Sequence, residues 1–225
     1  PDRDAYHHYF NGANFLVYYL TEKAALKAGD EELAANVKEK YRMAVDRLKA
    51  AADIEIKPVY RGGILSEIRV RVKNIRAGHN LTTSLTNIRQ MWLEVTAMDG
   101  DGKIIMTTGT LDEKGTLPQD VRIFNSHTQD RDLNFTIHPW EAETFSKNDT
   151  IPPKGFKDVH YGLSYPKGKP LTITATLRYR QADQKVAQKL LSMVPEDMDL
   201  EKIYGIKEIP LIPVIDMVSK TVALP

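Results

Sequence analysis

Six histidines carry most of the metal or proton-transfer chemistry that this sequence could support: His7, His8, His79, His127, His138 and His160. An imidazole ligates a metal through one ring nitrogen, or moves a proton near neutral pH. No two of the six stand four residues apart, and no HExxH motif is present. The spacing therefore predicts no helical metal site, and any site built from these histidines must be assembled from distant strands.

The other residue types limit which kinds of site this sequence could form. The chain has no cysteine, which excludes disulfides, thiolate zinc sites, cysteine nucleophiles and a CxxCH haem attachment within these 225 residues. No GxSxG elbow supports a serine hydrolase. A metal-dependent hydrolase using His79, His138 or His160 stays open. So does a calcium site, for which the loop carboxylates are Asp99, Asp101, Asp112 and Glu113, although Asp99-Gly100 is also ordinary turn chemistry.

The charge balance argues against nucleic acid as a partner, and the hydropathy pattern argues against a membrane span. Lys and Arg number 31 and Asp and Glu number 30, a net charge of +1, and the signs alternate along the chain. Nucleic acid is therefore not an expected partner. No apolar run approaches the roughly 18 residues of a membrane span. The chain opens at Pro1 without a signal peptide, which suits a processed or excised fragment as well as a native terminus.

Two helices are predicted near the N-terminal end of the sequence, before the strands. Helix formers run from Ala13 to Ala28, Gly29 ends that helix, and Asp30 is placed to cap the next. The second helix has an amphipathic stripe made of Leu33, Val37, Tyr41, Ala44, Leu48 and Ala51. The two helices are expected to form a hairpin whose apolar stripe packs against another surface.

From residue 53 the apolar period changes from 3.6 to 2, which predicts strands. Residues 91–98 and 103–108 form a hairpin around Asp99–Gly102, and 171–180 is the clearest alternating strand. Further strands are predicted near 133–138, 143–145 and 159–165, a short helix at 184–193, and an extended edge segment at 209–217. The predicted fold is mainly β with α: an immunoglobulin-like antiparallel β-sandwich (53–225) preceded by a His-containing segment and a two-helix hairpin (1–52).

Several motifs, taken in their order along the chain, resemble one protein family. The first is His7-His8-Tyr9-Phe10-Asn11-Gly12-Ala13-Asn14, and the second is Gly78-His79-Asn80, followed by the strand Met91-Trp92-Leu93-Glu94-Val95. Residues 109–115, 151–155, 177–180 and 212–217 continue the series. Together they resemble the C-terminal, haem-free region of bacterial multihaem c-type cytochromes. One departure is Thr82-Thr83-Ser84, where that family usually has Pro-Thr-Gly, so the local turn is expected to differ.

The resemblance implies a role in electron transfer. Haem c would be attached outside this chain, in the haem-bearing region of the same protein or in a partner cytochrome subunit. His8 and His79, and next His7, are the candidates for a distal ligand to the haem iron. The chain alone is not expected to be an enzyme, and the implied location is the periplasm or the extracellular surface.

One alternative of a different class stays open at this stage. An immunoglobulin-like binding or adhesion module would have the same fold, would use its loops for recognition, and would leave all six histidines without iron.

Overall fold

A computed structural model describes residues 12–195, 197–205 and 210–225, and it is mostly antiparallel β-structure, which confirms the predicted fold class. The helices are α1 (Phe15–Ala28), α2 (Glu31–Ala51), α3 (Gln184–Ser192) and α4 (Leu200–Tyr204). The strands are β1 (Ala52–Arg61), β2 (Ile64–Asn74), β3 (Gln90–Asp99), β4 (Ile104–Thr108), β5 (Ser126–Gln129), β6 (Thr144–Asn148), β7 (Phe156–Pro166), β8 (Leu171–Arg180) and β9 (Ile215–Leu224). The chain divides into two compact units, Pro1–Leu48 with Val194–Pro210, and Lys49–Met193 with Leu211–Pro225.

The first unit is helical. Gly29 ends α1 in the left-handed conformation at φ 74°, and Asp30 Oδ1 accepts a hydrogen bond from the Leu33 amide at 2.9 Å, as the sequence predicted. Phe15 is completely buried, with its ring edge-on to Tyr41. In the predicted stripe of α2, Val37 and its later neighbours Ala44 and Leu48 are buried, whereas Leu33 is 42% exposed. No helix in the described part of the chain is both long and apolar enough to cross a membrane.

The second unit is a sandwich of two antiparallel sheets. One sheet has the strand order β1-β2-β7 and the other β4-β3-β8-β9. When β5 and β6 are treated as an insertion, β1, β2 and β7 correspond to strands A, B and E of an immunoglobulin domain, and β3, β4, β8 and β9 correspond to C, C′, F and G. The two sheets then have the strand orders A-B-E and C′-C-F-G of an immunoglobulin-like fold. The inner faces alternate as predicted: Ile68, Val70 and Val72 of β2 are fully buried. Trp92 of β3 is also fully buried and donates its indole N–H to the Gly109 carbonyl at 2.9 Å.

The outer face of the three-stranded sheet is polar, as the alternation predicted. Arg71 makes a two-pronged ion pair with Asp158, at 2.8 and 2.9 Å, and Lys73 pairs with Glu55. Such pairs keep the face hydrated, and each contributes little to stability. The basic side chains of β2 therefore lie on the hydrated outer face of a strand, next to carboxylates.

The segment between β4 and β7 departs from the sequence prediction. Residues 133–138 are not a strand; only Phe135 forms a bridge, with Gln129, and the backbone there folds into a loop around Asp130. Strand β5 was not predicted, and it pairs with β6 to form an inserted hairpin. The tail also differs, because the predicted extended segment ends in a regular strand, β9, which begins only after Pro213.

Candidate functional site

Three connections gather at one end of the sandwich. Strand β2 ends where β7 begins, with Lys73 opposite Phe156, and β3 begins where β8 ends, with Gln90 opposite Arg180. The loops 75–89, 149–155 and 181–183 therefore lie at this end. We call it the His79 end, after the one histidine of the 75–89 loop. Loops held by a rigid sandwich are where such folds commonly carry binding residues.

The backbone around His79 is held on both sides. Asn74, which is 1% exposed, donates its side-chain amide to the His79 carbonyl at 2.9 Å and to the Ile151 carbonyl at 3.2 Å. Leu81 and Ile151 form an isolated antiparallel bridge, and Asn80 Nδ2 donates to Thr150 Oγ1 at 3.0 Å. The loop is thus fastened to the 149–155 connection, so the position of His79 is set by buried contacts.

The ring of His79 is exposed but oriented. Its Nδ1 lies 3.0 Å from the Asn80 carbonyl oxygen. A carbonyl only accepts, so Nδ1 must carry the hydrogen, and in the neutral ring Nε2 then presents its lone pair. No hydrogen bond to Nε2 occurs among the described residues. This is the tautomer that metal-bound histidines adopt when a carbonyl fixes the other ring nitrogen.

Large apolar side chains are exposed at the same end. Ile75 and Leu85 of the His79 loop are 50% and 40% exposed, and Phe156 and Phe145 are 52% and 59% exposed. The Arg71 guanidinium lies 3.7 Å from the centre of the Phe156 ring. Gly78 has no other described atom within 4 Å of where a Cβ would lie, so the backbone beside His79 is open to an approaching surface.

The other described histidines are engaged differently. His160 lies on the outer face of β7, with Nδ1 2.8 Å from a Glu67 carboxylate oxygen; this bond lowers the pKa of Glu67. His138 stacks on Trp140, with 4.9 Å between ring centres. His127 is half-buried against Phe135, and burial lowers its pKa, so its imidazole is neutral at pH 7.

The structure places only part of the predicted site residues. His7 and His8 lie outside the described residues, whereas His79, His138 and His160 occupy a loop, an inserted hairpin and a strand. Among the described residues no cluster of three or more His, Asp or Glu side chains could hold a metal ion.

Two of the four carboxylates considered for calcium accept hydrogen bonds from the backbone of their own loops. Asp99 Oδ1 accepts from the amides of Asp101 and Lys103, and Asp112 Oδ1 accepts from the amides of Lys114 and Thr116. Both are Asx turns, which explains the acidic residues there by turn chemistry.

Sequence reasoning missed the groups that hold His79 in place. Asn74 is the last residue of strand β2, and its partner Ile151 lies 77 residues away. Nothing in a single sequence reports a pairing over that distance. The only available indication was an asparagine at a strand end ahead of a Gly-His pair, and asparagine there is common in turns.

Comparisons with known proteins show the fold. No family model and no curated protein match this sequence. Among solved structures, the chain is similar to the crystal structure of a penta-heme cytochrome c552 from Thermochromatium tepidum, with a TM-score of 0.54 and 15% identity. The match covers 80% of this chain and 41% of the cytochrome chain, so the present chain spans less than half of that protein. A structural genomics consortium target, solved by X-ray, matches with a TM-score of 0.26 and 9% identity, too low to support an argument.

Proposed function

We propose that this chain is the haem-free β-domain of a multihaem c-type cytochrome, and that its His79 end faces a haem bound outside these residues. In this role the sandwich holds loops against the haem-bearing region, and His79 Nε2 is a distal ligand to the iron. Electron transfer is then a property of the whole assembly.

The observation that carries the proposal is the state of His79. Its main chain is fixed by buried Asn74, its Nδ1 is bound to a carbonyl, and its Nε2 is directed to no described partner. A haem iron with one protein ligand accepts a second imidazole to become a low-spin electron-transfer centre. Pre-oriented ligands bind more tightly, because little rotational freedom is lost on binding.

Two further findings support the same function. The fold resembles that of a chain described as a penta-heme cytochrome, and 41% of that chain is matched, which leaves more than half of it for regions absent here. The ordered motifs from His7 to Met217 resemble the haem-free region of that class of protein. Exposed Ile75, Leu85 and Phe145 give the His79 end an apolar character that suits contact with a macrocycle or its protein surround.

The residues present fit a haem attached elsewhere. The chain has no cysteine to bind the vinyl groups, whereas it does offer an exposed imidazole with a fixed second nitrogen. When bound, the haem iron accepts and releases one electron. The chain's own residues orient the imidazole and, through the apolar side chains, exclude water from one side. The partner is then the haem-bearing region or subunit, and the location the periplasm or the cell surface, which fractionation of the source cells would test.

The first test is a haem-ligation titration. We expect the purified chain, added to a ferric CxxCH haem peptide whose sixth position is open, to shift the Soret and visible bands from high-spin to low-spin. Substituting His79→Ala should weaken this shift about tenfold or more, since the loss of one iron–imidazole bond exceeds the 1.4 kcal/mol that a tenfold change represents.

A matched control is His160→Ala, which removes an exposed imidazole that is already hydrogen-bonded to Glu67. His7→Ala and His8→Ala, made separately, test the two candidates outside the described residues. If every single variant binds the haem peptide as the parent does, the ligand role is wrong. If the native gene product and its neighbouring subunits contain no CxxCH sequence, the cytochrome assignment itself fails, and a binding or adhesion module takes its place.

A further inference from the structure

Two cations of the His79 end have no carboxylate partner. The 75–89 loop contains Arg76 and Arg89 but no Asp or Glu, and the 149–155 connection contains Lys154 and one acidic residue, Asp149. Arg76 and Lys154 are exposed, and neither forms an ion pair with any residue that the structure describes. Both side chains are therefore available to bind an anion from outside the chain.

The carboxylates of this end do not balance its cations. Asp149 has three cations within 3.4 Å, which are Arg122, Lys147 and Lys157. Asp183, in the 181–183 connection, lies 3.8 Å from the buried Arg180. The neighbouring strand ends add charges in pairs of one cation and one carboxylate, Arg71 with Asp158 and Lys73 with Glu55. Although every carboxylate keeps its charge, cations are in excess, so the His79 end attracts anions.

Asn74 places both free cations close to His79. Its Oδ1 accepts from the amide of residue 77, next to Arg76, at 3.0 Å. Its backbone N–H donates to the carbonyl of residue 155, next to Lys154, at 2.9 Å. The same asparagine donates its side-chain amide to the His79 carbonyl. The imidazole and the two cations thus all belong to backbone held by one buried residue.

Apolar side chains accompany the two cations. Ile75 directly precedes Arg76 and is 50% exposed, and Phe156 lies two residues after Lys154 and is 52% exposed. The surface around His79 therefore suits a ligand with an apolar body and an anionic edge. A haem has this composition, because its macrocycle is apolar and its two propionates lie side by side on one edge.

From these observations we infer that Arg76 and Lys154 bind the propionate carboxylates of the haem whose iron His79 ligates, an inference that rests on the proposed function. The guanidinium of Arg76 can donate two parallel hydrogen bonds to a carboxylate, and Lys154 contributes a compact positive charge. A haem held at its iron and at its propionate edge cannot rotate about the iron–imidazole bond. The chain thus orients the macrocycle as well as supplying a ligand.

The test compares two forms of one probe. The probe is a ferric CxxCH haem peptide with an amidated C-terminus, whose only carboxylates are the two propionates, and the second form has both propionates converted to methyl esters. We expect the parent chain to bind the acid form about fivefold or more tightly than the ester at low ionic strength, as two exposed ion pairs allow. Added salt should reduce this preference, because it screens exposed charges.

The double substitution Arg76→Gln with Lys154→Gln should abolish the preference for the acid form and leave the affinity for the ester unchanged. The matched control is Arg61→Gln with Lys169→Gln, an exposed arginine and an exposed lysine at the opposite end of the sandwich. This control should keep the preference, and circular dichroism must show that both variants are folded. No preference in the parent chain, an unchanged preference in the first variant, or an equal loss in both variants would overturn the inference.

His79→Ala separates this inference from the proposed function. It should weaken the binding of both forms by a similar factor and leave the preference for the acid. If it weakens neither form while the preference persists, the ligand role is wrong and the contact with the propionates stands. If it weakens both while the double substitution changes nothing, the inference alone is wrong.

An acidic protein surface is the other possible source of carboxylates. A hexaglutamate peptide, added at an equal concentration of carboxylate, should fail to displace the acid form of the haem peptide, because it has no apolar body to contact Ile75 and Phe156. Displacement by hexaglutamate would overturn the assignment to propionates, and absence of binding to either haem peptide would overturn the inference together with the ligand role.

Discussion

At the scale of single residues, Arg180 is the most unusual side chain of the sandwich, because it is a cation whose side chain is only 1% exposed. Its Nε donates to Gln90 Oε1 and its Nη1 to the Gly115 carbonyl, both at 2.6 Å. The closest carboxylate, that of Asp183, is 3.8 Å away. Burial lowers the pKa of Arg180, and Asp183 and Asp112 offset part of that effect. One guanidinium thus joins β8, β3 and the loop after β4.

Replacing this guanidinium should be costly. Arg180→Leu leaves the acceptors of Gln90 and Gly115 buried without donors, so we expect a loss of about 2–4 kcal/mol in the free energy of unfolding. Urea denaturation followed by circular dichroism measures the change.

The matched control is Arg178→Leu, two residues earlier on the same strand. Arg178 pairs with Glu94 and Asp216 on the outer face, where its loss should cost less than about 1 kcal/mol. Equal losses in the two variants would contradict the structural role given to Arg180.

Residue-level prediction from the sequence failed where strands end. The alternation of 171–180 assigns Thr172, Thr174, Thr176 and Arg178 correctly to the outer side, but the same period assigns Arg180 there too. In the structure Arg180 is buried, because the strand ends at that position and the loop containing Gly115 covers it. Periodicity describes a strand and contains no information about the loop that covers its end.

At the scale of secondary-structure elements, Gly109 determines how the chain leaves the sheet after strand β4. It adopts φ 78°, and a Cβ there would lie 2.2 Å from the Leu93 carbonyl oxygen. The same glycine accepts the Trp92 indole hydrogen bond. The close approach of the backbone to β3 therefore requires the absence of a side chain.

Gly109→Ala should destabilise the sandwich by about 2–4 kcal/mol, since it combines a backbone clash with an unfavourable φ. The control is Gly63→Ala, in the β1–β2 turn, which also has positive φ but no other described atom within 4 Å of its Cβ position. That change should cost about 1 kcal/mol. Thermal or urea unfolding distinguishes the two, and similar losses would show that the contact with β3 is unimportant.

Long alternating strands were predictable, whereas short polar ones were not. Strand β8 has the predicted bounds, and β3 with β4 is the predicted hairpin, because period-2 patterns over five or more residues are informative. Strand β5 is Ser-His-Thr-Gln, which has no apolar alternation to detect. Residues 133–138 do alternate, but Asp130 accepts the amides of 132 and 134 and turns the chain into a loop instead.

At the scale of the whole molecule, the Asp149 carboxylate links residues of the second unit that lie far apart in the sequence. Asp149 binds Arg122 through two hydrogen bonds, at 2.9 and 3.2 Å, and has Lys147 and Lys157 each at 3.4 Å. Burial works to raise the pKa of Asp149, but the bonds from Arg122 and the two lysine charges outweigh it and hold this pKa below its usual range.

The lowered pKa makes stability depend on pH in a defined direction. Because folding favours the ionised form, Asp149 stabilises the protein above its unfolded pKa of about 4 and loses this contribution as the pH falls through the lower, folded value. Asp149→Asn should therefore lower the free energy of unfolding at pH 7 by about 1–2 kcal/mol, and this deficit should shrink below about pH 4. Urea unfolding at a series of pH values measures both.

Asp46→Asn is the control, since it removes a carboxylate from an exposed ion pair with Arg42 on α2. It should change stability by less than about 0.5 kcal/mol at any pH. A deficit for Asp149→Asn that persists undiminished into acid would mean that the amide disturbs packing, and that the three cations are unimportant.

Strands β1 and β9 are neighbours in space although seven strands separate them along the chain, and Lys220 pairs with Asp53 at 2.6 Å. During synthesis, the outer edge of β8 has no strand partner until β9 emerges from the ribosome. The nascent sandwich therefore exposes an unpaired strand edge between the emergence of β8 and that of β9, and such edges recruit other chains. A chaperone that binds extended polypeptide would be needed most in that interval.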